Sequence, residues 1–223
     1  MRGYDKEFKE EAIKLSYELG IRAAALAAIL QQPPNTKMGL RDRVIMILLY
    51  DSAVRLDELL SLKVKDLSLQ PDNPYIRISG KGNKERIVAV TPKTAEHLRQ
   101  YLSVYHKKDL KADQYVFITR IKGVTDRMSA GNVERFIKRY AEDAREKCLQ
   151  IPMKVYPHMF RRTRATDLYQ NGVELELVSR ILGHSSTETT KVYAKPSIEM
   201  LRKAIESVNT SRTGKRRTTL DTL

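Results

Sequence analysis

A β-hairpin pattern embedded in long stretches of helical spacing constrains this chain most. Tyr75 to Ser79 (YIRIS) and Arg86 to Val90 (RIVAV) read as two strands joined by the turn GKGNKE. On either side, apolar residues recur at helical intervals: Val44, Ile45, Ile47, Leu48 and Leu49 before it, and Leu98, Tyr101, Leu102 and Tyr105 after it. The fold class that follows is mainly α with a small antiparallel β-sheet (α+β). A length of 223 residues is enough to bury a core as one domain with small appendages.

The remaining segments fit that frame. Residues 6–19 and 22–30 read as two helices, and Gln31 to Thr36 (QQPPNT) as a linker or domain edge. From Gly39 a largely buried helix runs to the Ser52 turn, and a second helix spans Arg55 to Leu62. Pro92 opens a helix that reaches about His106, Tyr115 to Ile118 reads as a short strand or extended segment, and IKGVTDR as a loop. Ser129 is placed to cap a helix carrying Val133, Phe136, Ile137 and Tyr140. The helix from His158 stops at Asn171-Gly172, and Gly183 ends a short apolar helix beginning near Val173. Three parts are expected: a short helical segment and linker over 1–36, a main domain over 37–206, and a basic tail over 207–223.

Charge narrows the partner. There are 41 Lys and Arg against 27 Asp and Glu, a net charge of +14, and residues 37–206 hold 32 of the basic and 21 of the acidic groups. Such an excess favours a polyanion, nucleic acid ahead of an acidic membrane. The N-terminus has no apolar signal region, and the longest apolar run, Val44 to Tyr50, suits a buried helix face. The expected location is therefore cytoplasmic. A single cysteine, Cys148, excludes an internal disulfide and a multi-cysteine zinc site.

Groups able to hold and attack a phosphate concentrate in one stretch. His158 and Arg161 stand three residues apart, and His184 precedes Tyr193 by nine. Upstream, Arg55 and Glu58 share a helix face, and the hairpin turn presents Lys81, Lys84 and Arg86 around glycines. Read singly, each has a plain structural alternative: a surface ion pair, a helix cap, a packed tyrosine, a solvated basic turn.

Taken in order, these segments resemble the catalytic domain of the tyrosine recombinase, or phage integrase, family. The matching stretches are AVRLDELLSLKVKDL around Arg55, GKGNKER at the hairpin, PHMFRRT with the His-x-x-Arg pair, LGHSSTETT, and the VY that ends at Tyr193. Together they span about residues 38–206. The resemblance implies a site-specific recombinase or integrase that cleaves and rejoins double-stranded DNA through a 3′-phosphotyrosine on Tyr193. It assigns Arg55 and Arg161 to the phosphate and His158 to acid/base work. Lys81 would protonate the leaving 5′ oxygen, with Lys84 as the second choice, and His184 would donate a hydrogen bond to the phosphate. Glu58 would orient Arg55, while Lys84, Arg86 and Arg162 would lie against DNA. No cofactor and no metal are implied, because bond energy is stored in the phosphotyrosine. A homotetramer on two DNA sites is the expected assembly.

The chemistry wants these residue types. Attack on a phosphodiester places negative charge on its non-bridging oxygens, which two guanidiniums can clamp without losing protons. A phenol, with a reference pKa of about 10, needs a proton acceptor or strongly cationic surroundings to become a nucleophile. The pattern departs from the family at Ala53, where Gly is common, and at Arg162, where His is frequent. Residues 1–36 are also too few for the separate helical core-binding domain that the resemblance implies. Two alternatives remain: an integrase-derived DNA-binding protein without catalysis, and strand relaxation of the type IB topoisomerase kind.

Overall fold

A computed structural model describes residues 23–80, 85–106, 110–121, 123–184, 188–191, 196, 200 and 202. Helices α1 (Ala23–Leu30), α2 (Lys37–Asp51) and α3 (Leu56–Leu60) lead into a three-stranded antiparallel sheet, β1 (Leu67–Ser68), β2 (Tyr75–Ser79) and β3 (Glu85–Ala89). Then follow α4 (Pro92–Tyr105), the hairpin β4 (Ile118–Ile121) and β5 (Val124–Arg127), and helices α5 (Ala130–Arg145), α6 (Pro157–Gln170), α7 (Leu175–Leu182) and α8 (Glu188–Lys191). The fold is mainly helical with small antiparallel sheets, as the hairpin and helical spacings indicate.

The core forms where the apolar stripes meet. Val44, Ile45, Leu48 and Leu49 of α2 are sealed among Leu59 and Leu60 of α3, Ile76 and Ile78 of β2, Leu98 and Tyr101 of α4, and Met159 and Phe160 of α6. Ala25, Leu26 and Ile29 of α1 belong to the same cluster. Residues 31–36 form a tight corner: the Arg43 guanidinium donates to the Pro33 carbonyl at 2.8 Å. At Gly39 a Cβ would lie 1.9 Å from the Pro34 carbonyl oxygen, so only glycine fits there.

Three segments differ from their reading in the sequence. The α3 helix is shorter than Arg55 to Leu62, because Ser61 already ends it and Leu62 turns to accept the Val116 amide. IKGVTDR is a hairpin arm and not a loop: Ile118 pairs with Arg127 and Ile121 with Val124, and Gly123 takes the left-handed turn position at φ +83°. The β1 strand pairs Leu67 with Ile76, an edge too short to announce itself by alternation.

Polar ties fasten α6 to α2. Tyr50 donates to Asp167 at 2.7 Å, and Asp51 takes both the Arg164 guanidinium at 3.3 Å and the Thr91 amide at 2.8 Å. A smaller apolar cluster of Ala53, Ala165, Val178 and Leu182 joins the α2–α3 turn to α6 and α7.

Ala53 itself is buried and left-handed, at φ +51°. This conformation costs an alanine roughly 1–2 kcal/mol. Ala53→Gly relieves that strain but forfeits a buried methyl and adds unfolded-state entropy, each about 1 kcal/mol. Chemical denaturation should therefore find Ala53→Gly within about 1 kcal/mol of the parent. Ala53→Val, β-branched at positive φ in a closed site, should lose 2 kcal/mol or more by the same strain and overpacking, order-of-magnitude.

Candidate active site

α6 and α7 bring the downstream residues together. Proline at the first turn of α6 sets the helix start, and Arg161 follows one turn later, on a face that turns inward. Although charged, Arg161 is only 1% exposed. Burial of a guanidinium requires partners, and the fold supplies them to both terminal nitrogens. Nη1 donates to the Ala53 carbonyl at 2.6 Å, and Nη2 donates to the Leu182 carbonyl at 2.8 Å and to His184 Nε2 at 3.0 Å. The left-handed turn at Ala53 thus aims a carbonyl at the guanidinium. Leu182, the last residue of α7, offers a carbonyl that its own helix leaves unpaired.

His184 is set by the way α7 ends. Gly183 adopts φ +65°, its amide donates to Arg180 and the next amide donates to Ser179, the paired bonds of a Schellman turn. A guanidinium has no acceptor, so Nε2 of His184 must accept from Arg161. The ring proton therefore sits on Nδ1, which donates to Thr190 Oγ1 at 2.9 Å. Thr190 is fully buried on α8, the short helix that precedes residue 193.

Across the cleft, Arg55 begins α3 and is half exposed. Glu58 receives its amide at 2.9 Å and its Nη1 at 3.1 Å. Arg86, on β3, also donates to Glu58, through Nη1 at 3.0 Å and Nη2 at 2.8 Å. Burial pushes the Glu58 carboxyl up, but the hydrogen bonds and charges of Arg86 and Arg55 outweigh it and hold the group below the ordinary carboxylate value. Arg55, Glu58, Arg86, Arg180, Gly183, His184 and Thr189 line a cleft of about 1100 Å³.

Both histidines are held neutral. Desolvation, then the charges of Arg161, Arg162 and Arg55, lower the pKa of His158. Burial, then Arg161, Arg55, His158 and Arg86, lower that of His184 to about 4. The folded value lies below the unfolded one, so the unfolded chain takes up the proton first. The stability contribution is complete above about pH 6.5 and is lost as pH falls toward 4. Denaturation titrations across that window should show His184→Gln flattening the pH dependence, with the His158 contribution left in place.

The structure therefore gathers Arg55, Glu58, Arg86, His158, Arg161 and His184. Arg162 follows Arg161 on α6 and is half-buried. Lys81, Lys84 and Tyr193 lie outside the described residues. Sequence reasoning missed the Arg86–Glu58 pair and Thr190. The first was legible in part: Arg86 is in phase with the apolar Val88 and Val90, which marks it as inward-facing. The second has no local signal. Among the described residues no cluster of His, Cys, Asp and Glu suits a metal ion, and no helix is long and apolar enough to cross a membrane.

The chain is similar to known proteins. The model of the phage integrase family matches residues 19–200. The chain is 34% identical over 174 residues to tyrosine recombinase XerA of Thermococcus kodakarensis, covering 78% of this chain and 56% of that protein. It is 31% identical over 207 residues to tyrosine recombinase XerA of Thermococcus onnurineus, covering 92% and 68%. The crystal structure of XerH site-specific recombinase bound to a palindromic difH substrate, a post-cleavage complex, superimposes with a TM-score of 0.70 at 26% identity, over 84% of this chain and 52% of that one. The chain thus spans little more than half the length of several of the proteins it matches.

Proposed function

This chain belongs to the phage integrase family of tyrosine recombinases, and from that premise we propose that it cleaves and rejoins DNA at specific sites through a phosphotyrosine on Tyr193. The observation that carries the reading is that buried Arg161 bonds His184 at 3.0 Å at the edge of the cleft that Arg55, distant in sequence, also lines.

In this reading a DNA phosphate enters between Arg55 and Arg161, whose guanidiniums take the charge that develops on its non-bridging oxygens. Tyr193 Oη attacks phosphorus while the bond to the 5′ oxygen breaks. His158, neutral and beside the two arginines, accepts the phenolic proton. Lys81 donates a proton to the departing 5′ oxygen. Strand joining is the reverse: a 5′ hydroxyl attacks the phosphotyrosine, and the tyrosine regains its proton. No net bond energy is lost, so the residues themselves carry the cycle.

His184 has a different part before DNA arrives than after. In the free chain its Nε2 accepts from Arg161. A phosphate at Arg161 brings the negative charge that favours a protonated ring, and Nε2 then becomes a donor to that phosphate. Glu58 holds Arg55 at both its amide and its guanidinium. Lys84 and Arg162 add cationic contacts along the duplex. Four chains on two duplexes complete the proposed assembly, in the cytoplasm.

The test is a nicked suicide duplex of candidate target sites, on which the cleaved strand diffuses away and traps the intermediate. Covalent adduct formation supports the recombinase. DNA binding without adduct on any cognate site would leave a binding protein, and relaxation without site preference would indicate topoisomerase-like action.

A further inference from the structure

Arg86 has its terminal amino groups and its Nε all turned inward. Nη1 and Nη2 face the two oxygens of Glu58, and Nε is buried without a protein acceptor. The strand dictates this orientation, since Arg86 shares the inward face of β3 with the buried Val88, while Glu85, Ile87 and Ala89 face out. On its other side the guanidinium packs against Gly183, where a Cβ would stand 2.7 Å from both Cζ and Nε. Glycine at 183 is thus favoured by its left-handed φ, and a Cβ there would push aside the arginine lying over it. One side chain therefore touches the Glu58–Arg55 pair on α3 and the turn that presents His184. It also roots the hairpin arm immediately after residues 81–84, which include Lys81.

We propose that Arg86 is a positioning residue of the strand-transfer reaction, a clasp joining Glu58 and Arg55 to the Gly183–His184 turn, and not a contact to DNA. This rests on the recombinase reading above and deepens it. A bidentate arginine–carboxylate pair fixes both partners in plane, so the clasp holds the two halves of the phosphate site at one separation. Lysine in its place retains the charge but offers a point contact without the fork.

The test uses the full chain carrying Arg86→Met, Arg86→Lys and Gly183→Ala, with DNA affinity, its salt dependence and adduct formation at saturating suicide duplex all measured. The clasp predicts at least a ten-fold slower adduct step in both Arg86 variants. Affinity should stay within two-fold and the salt slope unchanged. Gly183→Ala should slow the step alike, without adding to Arg86→Met in the double variant. A salt slope reduced by about one, with the saturated rate intact, would place Arg86 on a phosphate and overturn the proposal. So would wild-type rates in both Arg86 variants. The ring ¹⁵N signals of His184 in DNA-free protein give a second reading that is independent of cleavage. They should move in Arg86→Lys, which conserves charge and is the milder change should Arg86→Met fold poorly. If they do not move, the clasp is wrong. Absence of any adduct from the wild-type chain, with those signals shifted, would instead count against the recombinase reading alone.

Discussion

Arg161→Lys is expected to slow adduct formation by about 10²–10³-fold or more, the scale of losing one preorganised donor to a developing oxyanion. The reason lies in how Arg161 is held. Its two terminal nitrogens reach the Ala53 carbonyl, the Leu182 carbonyl and His184, inside a site that is almost closed to water. A lysine ammonium cannot span two carbonyls in one plane and still face a phosphate. Arg161→Met should go further and damage the fold, since it strands two buried carbonyls at about 1–3 kcal/mol each. Chemical denaturation alongside adduct kinetics separates the two effects. A folded Arg161→Lys protein cleaving at the parent rate would remove Arg161 from the phosphate site.

The second large effect is expected from Tyr193→Phe, which removes one oxygen and should remove covalent adduct entirely. Folding and DNA affinity should be unchanged within two-fold. Thr190, buried on α8, is bonded to Nδ1 of His184, and Nε2 of the same ring is bonded to Arg161. The short helix α8 is therefore tied to Arg161 through a single imidazole. Under the proposed reaction a phenol from that side needs cationic groups and a proton acceptor, and Arg161, Arg55 and neutral His158 are the groups available to supply them. Persisting adduct in Tyr193→Phe would assign the nucleophile to another residue.

Much of this was legible in the sequence because the signals were local. Proline at the start of α6, Asn171-Gly172 at its end and Gly183 after α7 announce helix boundaries by backbone chemistry alone. The alternation of YIRIS and RIVAV marks the sheet, and the His-x-x-Arg spacing puts His158 and Arg161 on neighbouring turns of one helix. What escaped depends on contacts between distant segments. No spacing rule tells that Ala53, left-handed, aims its carbonyl at Arg161, or that Arg86 meets Glu58. The IKGVTDR hairpin arm was missed for a simpler reason: its outward side chains, such as the exposed Val124, show no buried apolar phase to read.

The measurement closest to the central claim is peptide mapping of the complex trapped on a nicked suicide duplex. The expected result is a single modified peptide, with the 3′ phosphate of the cleaved strand esterified to Tyr193 and a free 5′ hydroxyl on the released fragment. Attachment to any other residue, a 5′ linkage, or cleavage that leaves no protein on the DNA would contradict it.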